Sequence, residues 1–160
     1  NTISIMPEQQ IFSFFCDRFY VTDENGEHVY YIESEALTFL KKFHIYTMSG
    51  EEVGYIEQQF NLFFPRLDIY TFGTHTATIQ KLFTLFCQEY SVEGPGWYVK
   101  GDFLSHEYEI TRSDESIAHI SKEWFTFGDC YTVETKNPED MLLSLAIMVS
   151  IDFVLSKNNN

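Results

Sequence analysis

The chain has 160 residues, 44% of them hydrophobic and 18% aromatic, which suits one domain able to bury its own core and excludes a disordered body. Twenty-four acidic residues against ten basic ones leave a net charge of −14, and no basic stripe offers a footprint for nucleic acid or an anionic membrane. Three cysteines are an odd count in a chain that needs no bridges, so a reducing, cytoplasmic compartment is the simpler expectation.

Residues 1–9 carry little pattern and are expected to be a flexible end, with a single domain over 10–157 and a polar tail at 158–160. No basic stretch followed by an apolar run opens the sequence, so no secretory signal is expected. Four hairpins follow in chain order. Residues 19–23 and 27–32 flank Glu24-Asn25-Gly26, and Asn-Gly supplies the positive φ a tight turn needs. Residues 43–48 and 51–57 flank Ser49-Gly50, and residues 67–72 and 76–82 flank Gly73. Residues 107–111 and 116–122 flank Arg112-Ser113-Asp114. Strands recurring at intervals of about 8–12 residues point to an all-β barrel or sandwich.

The pattern changes at Asn137-Pro138-Glu139-Asp140, which reads as a helix start with an N-cap, a proline at the first position and acids in the first turn. Residues 141–155 then run apolar with no polar stripe, the pattern of a helix buried on every side. The run is shorter than the ~20 residues a bilayer span needs, and Asp152 would be costly in lipid.

One spacing recurs four times: an aromatic residue, Phe three positions on, a large apolar residue four further, then Val or Ile two further. It occurs at Phe12, Phe15, Phe19 and Val21; at Phe60, Phe63, Leu67 and Ile69; at Phe83, Phe86, Tyr90 and Val92; and at Trp124, Phe127, Tyr131 and Val133. The first copy matches the third and the second matches the fourth, so Phe12 pairs with Phe83, Phe60 with Trp124 and Cys16 with Cys87. Between them Tyr31-Ile32 matches Tyr98-Val99, and Phe43-x-Ile45 matches Tyr108-x-Ile110. The offset falls steadily from 71 to 64, as it does when the second of two related halves has shorter loops. The expectation is a mainly β fold: a closed barrel of about twelve antiparallel strands from two repeated halves, enclosing a central apolar C-terminal helix. A barrel that wide has room in its lumen.

Hairpins with Phe-x2-Phe starts, the run Gly94-Pro95-Gly96-Trp97-Tyr98-Val99-Lys100-Gly101-Asp102-Phe103-Leu104-Ser105-His106-Glu107-Tyr108, the run Ile120-Ser121-Lys122-Glu123-Trp124-Phe125-Thr126-Phe127-Gly128-Asp129, and Ile151-Asp152 in a terminal apolar segment together resemble the LURP-one-related family, its bacterial members in particular. The resemblance spans nearly the whole chain. It implies a Tubby C-terminal-like or phospholipid-scramblase-like fold and no catalytic signature. Tubby-type relatives bind phosphoinositides through basic side chains; here the basic residues are scattered in sequence, with Lys41-Lys42 the only adjacent pair.

Candidate chemistry is sparse. His28, His44, His75, His106 and His119 show no zinc-ligand spacing and read as ordinary strand or rim residues. Cys16 and Cys87 read as packing residues, and Asp129 beside Cys130 disfavours a thiolate. Glu107 with Glu109, and Glu33 with Glu35, would share strand faces, which could serve acid–base work but more simply makes solvated surface. The run 23–27 reads as turn chemistry, far short of a calcium loop. Asp152 should reach the far mouth of the barrel, either bonded to a neighbouring amide, Arg or Tyr, or lining a ligand site. No catalytic, cofactor or metal residue is assigned, and ligand-binding residues stay open. The functional expectation is a non-catalytic, monomeric binding or interaction module for a protein or small molecule. The rivals are a membrane-associated protein using its C-terminal helix or a barrel surface, and an enzyme with a site at a barrel mouth.

Overall fold

A computed structural model describes residues 1–7, 18–85, 88–102, 105–125 and 128–158. Twelve strands run in chain order: β1 (Thr2–Pro7), β2 (Arg18–Thr22), β3 (His28–Ser34), β4 (Lys42–Thr47), β5 (Glu52–Gln59), β6 (Arg66–Thr71), β7 (Thr74–Lys81), β8 (Gln88–Glu93), β9 (Trp97–Asp102), β10 (Glu107–Arg112), β11 (Glu115–Phe125) and β12 (Gly128–Thr135). Each pairs antiparallel with its sequence neighbours, and β1 pairs with β12 to close the barrel. The closure joins Thr2 to Glu134 and Ile5 to Tyr131. The opening residues, expected to be a loose end, are therefore a wall strand. Six residues of weak pattern become a strand because both neighbours offer them unpaired edges.

The four expected hairpins form as β2–β3, β4–β5, β6–β7 and β10–β11. Phe72 and Gly73 both have positive φ, as do Ser113 and Asp114, the geometry of two-residue turns that match strand twist. A fifth hairpin, β8–β9, turns through Gly94-Pro95-Gly96. A Cβ at Gly94 would lie 2.2 Å from the Thr76 carbonyl oxygen, so that turn sits against β7 in a way only glycine allows.

Inward residues are apolar and outward ones polar: β9 buries Trp97, Val99 and Gly101 while Tyr98, Lys100 and Asp102 face out. That is the reverse of a barrel whose outer wall faces lipid. The matched segments fall on β2 and β8, β3 and β9, β4 and β10, and β6 and β12, each a step of six strands. Val21, Val92, Ile69, Val133, Ile45 and Ile110 all point into the core. The leading aromatics of the repeated spacing do not follow these inward residues. Phe60, Phe63 and Phe83 stand in connections and are exposed, while Phe12, Phe15, Phe86, Phe127, Cys16, Cys87 and the side chain of Trp124 lie outside the described residues.

A 3₁₀ turn over Pro138–Asp140 leads into the helix α1 (Met141–Asn158). Asn137 has the extended backbone of an N-cap, but its side chain makes no capping bond. The helix lies inside the barrel, and every residue from Leu143 to Ile151 is buried. Eighteen residues span about 27 Å at 1.5 Å each, enough to cross from one mouth to the other. No helix among the described residues is long and apolar enough to cross a membrane, and extracting α1 would empty the core.

Candidate functional site

Hairpin connectivity gives the barrel two unlike ends. The connections after β2, β4, β6, β8 and β10 are tight turns at one end, where β12 also hands over to α1. The connections after β3, β5 and β7 are longer and lie at the other end, where α1 finishes.

The loop end holds a cavity of about 410 Å³ between α1 and the wall made by β12, β1, β2, β3 and β4. Ile5, Phe19, Ile32 and Phe43 line it from the strands, and Met148, Val149 and Phe153 from the helix. Four polar side chains converge on it: Lys41, Tyr131, Asp152 and Ser156. Its size and its mix of apolar lining with few polar groups are those of a small-molecule site. It exists because α1, of nearly cylindrical section, cannot fill a twelve-strand lumen evenly.

Asp152 reaches this mouth as the sequence suggests, and it accepts a hydrogen bond from the Tyr131 hydroxyl at 2.6 Å. The carboxylate is bonded to a tyrosine, the first of the two expectations for it, and it also lines the cavity. Burial, and secondarily the charge of Asp152, hold the Tyr108 phenol above its ordinary value. Burial pushes Tyr90 up further, with Tyr108 contributing second, and the Tyr90 hydroxyl has no hydrogen-bond partner. The Lys41 ammonium lies 5.6 Å from the centre of the Phe43 ring, and Lys157 lies 4.8 Å from that of Phe153, so two cations sit over the aromatic rim of the cavity.

The other candidates are dispersed on the outer wall. His44 Nε2 lies 3.0 Å from Glu35 and Nδ1 3.4 Å from Glu52. His75 meets Asp68 at 3.3 Å and Thr78 at 3.0 Å. His119 meets Glu109 at 2.8 Å, with Glu107 at 3.9 Å. His28 packs on the Tyr20 ring and His106 occupies a positive-φ turn. The two glutamates of β10 are thus brought together on one histidine. Glu33 instead pairs with Arg18 and Glu35 with His44, so they form no acid–base pair. Among the described residues no group of three such side chains could hold a metal ion. Cys130 is buried, and its thiol is pushed up by burial first and by Glu123 second, which leaves it a poor nucleophile. The Asp23 carboxylate accepts from the backbone amides of Asn25 and Glu27, the turn chemistry expected there.

A family model described as LURP-one-related matches residues 4–152. The chain belongs to the LURP-one-related family. A Bacillus subtilis (strain 168) relative, uncharacterized protein YxjI, is 26% identical over 153 residues, covering 96% of this chain and 94% of the relative. An X-ray structure of an Arabidopsis thaliana protein superposes with a TM-score of 0.57 at 16% identity, covering 99% of this chain and 92% of that one. That likeness shows the shared fold alone.

Sequence reading missed Lys41, Phe153 and Ser156 as cavity residues. Lys41-Lys42 was visible as the one adjacent basic pair. The placement of the other basic residues needed the topology. Arg18, Lys41, Lys42, Arg66 and Lys81 lie at the loop-end limits of their strands; Lys100 and Lys122 lie in the loop-end halves of β9 and β11, and Lys157 at the end of α1. Only Arg112 and Lys136 lie towards the tight turns. Residues scattered in sequence are thus collected at one mouth, because alternate hairpin ends meet there.

Proposed function

We propose that the chain is a non-catalytic binding module whose ligand site is the loop-end cavity, taking the apolar chain of a small amphiphile with its anionic head against Lys41. The carrying observation is a cavity of about 410 Å³ with seven apolar lining residues and Lys41 at its rim. Among the described residues Lys41 makes no ion pair with a carboxylate, so its charge is available to a ligand. Asp152 already receives the Tyr131 hydroxyl, which makes it a fixed polar wall facing the ligand chain. A monomeric protein of a reducing, cytoplasmic compartment fits a buried free thiol at Cys130. The uniform six-strand step between matched segments supports two repeated halves, with an approximate twofold along the barrel.

Thermal unfolding with dodecanoate tests the reading. A ligand at one hundred times its dissociation constant stabilises the native state by about 2.7 kcal/mol, so the melting temperature should rise for the intact chain. It should not rise for Val149→Trp, which fills the cavity. No rise with medium-chain carboxylates, or an equal rise in Val149→Trp, refutes the site.

A further inference from the structure

The outer wall of the barrel carries an observation independent of the cavity. Tyr20, Tyr31, Tyr46, Tyr55 and Tyr70 face outward on β2–β6. From Tyr31 the rings continue through Tyr46, His44, Tyr55 and Tyr70 to His75, with neighbouring centroids 5.0–5.9 Å apart. Strands 4.7–4.9 Å apart make this ribbon, from β3 to β7, about 19 Å wide. Cross-strand ring contacts stabilise a sheet, but this wall closes without them elsewhere. Six strands on from β3, β4, β5 and β6, the outward residues are Tyr98, Thr111, His119 and Glu134, one tyrosine in place of four. Tyrosine gathered on one outer face is the composition of a recognition surface. We propose that this face binds an extended arginine- and lysine-rich segment of a partner protein.

Charge chooses the partner. Glu33, Glu35, Glu52, Glu57 and Asp68 stand among the rings, against Arg18, Lys42 and Arg66, which are the first residues of β2, β4 and β6 and so lie at the loop-end margin. Lys42 is opposite Glu57, but among the described residues only Glu33 of these five forms an ion pair with a lysine or arginine. Glu35 and Glu52 meet His44, and Asp68 meets His75. Burial first and Glu52 second hold the Tyr46 phenol above its ordinary value, and burial followed by Glu57 does the same for Tyr55. The chain already seats one guanidinium on this face: Arg18 pairs with Glu33 and lies 5.1 Å from the centre of the Tyr31 ring, a cation held by a carboxylate and a ring together. Two hollows offer the same pair of groups. One of about 560 Å³ is lined by Glu33, Glu35, Thr38, His44 and Tyr46, and its Thr38 hydroxyl is buried without a hydrogen-bond partner. The other, of about 240 Å³, is lined by Glu52, Tyr55 and Tyr70. The His44–Tyr55 contact joins them, so one segment can place a basic side chain in each. The segment cannot add as a strand, because the closed barrel has no edge, and recognition runs through side chains. A neutral sugar would stack on ring faces, but here neighbouring rings cover them, at 25° between Tyr31 and Tyr46 and 17° between His44 and Tyr46. A second copy would set these carboxylates against their like.

Fluorescence anisotropy of a labelled eight-residue peptide alternating arginine and serine, titrated with the intact chain at about 0.15 M salt, tests this. The peptide should bind saturably, and its citrulline counterpart, alike in shape but uncharged, should not. Glu52→Gln with Glu57→Gln should weaken binding by up to about fivefold per carboxylate. Tyr46→Ser with Tyr55→Ser, which leaves the charge unchanged, should weaken it about tenfold. Urea unfolding checks that both variants are folded under the assay conditions. Glu107→Gln with Glu123→Gln makes the same charge change on β10 and β11 and should bind as the wild type does. The proposal is overturned if the wild type leaves the peptide free, if the citrulline peptide binds equally, or if either variant of the face binds as tightly as the wild type. An equal loss in the β10–β11 variant also overturns it, since attraction to net charge alone behaves that way. So does binding of maltoheptaose that the tyrosine variant abolishes while the arginine peptide stays free, which assigns the face to sugar. Dodecanoate binding reads the loop-end cavity, so it and peptide binding fail separately.

Discussion

Replacing Leu145 by alanine isolates the packing of α1 inside the barrel. Leu145 is 0% exposed, and its neighbours Ser144, Ala146 and Ile147 are equally enclosed. Buried Leu→Ala changes cost about 2.7–5.0 kcal/mol, and the cost is greater where surroundings cannot collapse. A wall closed by hydrogen bonds from β1 round to β12 cannot shrink by one side chain, so the expected loss lies in the upper half of that range. For a chain of this length each kcal/mol lowers the melting temperature by about 2–4 °C, so the variant should melt of order 10 °C lower while remaining folded. The neighbouring Ser144 is an internal control. Its hydroxyl is buried without a hydrogen-bond partner, so Ser144→Ala removes an unpaid desolvation and should be neutral or stabilising. Urea unfolding followed by tryptophan fluorescence reads both. A loss under about 1 kcal/mol for Leu145→Ala, at the bottom of what core truncations cost, would refute the enclosed helix. So would a clear destabilisation by Ser144→Ala.

Tyr90 and Tyr108 have phenols held above the ordinary value of 10.0, burial being the larger cause in each. Their contribution is fully present below pH 10 and is lost as pH rises through the higher folded-state values, because only the unfolded chain ionises easily there; alkaline melts should show the loss, and Tyr90→Phe should reduce it without cost at neutral pH. Gly101→Val should destabilise by about 1–3 kcal/mol by overpacking, because a Cβ there would lie 2.0 Å from the Tyr108 ring. A smaller residue at position 108 should restore part of the loss in urea titrations. In a Cys16→Ser, Cys87→Ser background, Cys130 should resist thiol reagents in the native state and react once urea unfolds the chain; fast native labelling would contradict its burial.

The hairpins were legible because their turns need particular residues. Gly26 and Gly73 stand where φ is positive, and few other residues occupy such positions cheaply. The helix was legible because an apolar run without a polar stripe has only one kind of environment. Strand β1 was not, since six residues of ordinary composition become a strand only through β2 and β12. The cavity was not, because Ile5, Phe19, Ile32 and Phe43 each read as plain core. Their separation from α1 at one mouth depends on how evenly a helix fills a wide barrel, which no local pattern records. The rim of basic residues was hidden for a different reason. Lys42, Arg66 and Lys81 are far apart along the chain and meet only where alternate hairpin ends converge.

The location of the ligand site is most directly tested by methyl NMR of ¹³C-methionine-labelled protein titrated with dodecanoate. Met148 lines the loop-end cavity, Met141 begins α1 at the opposite mouth, and Met48 sits in an exposed tight turn. Saturable movement of the Met148 resonance, with Met141 and Met48 unmoved, is the result expected of a carboxylate chain held at the loop end. Movement centred on Met141, or no movement at all as dodecanoate is raised, would contradict it.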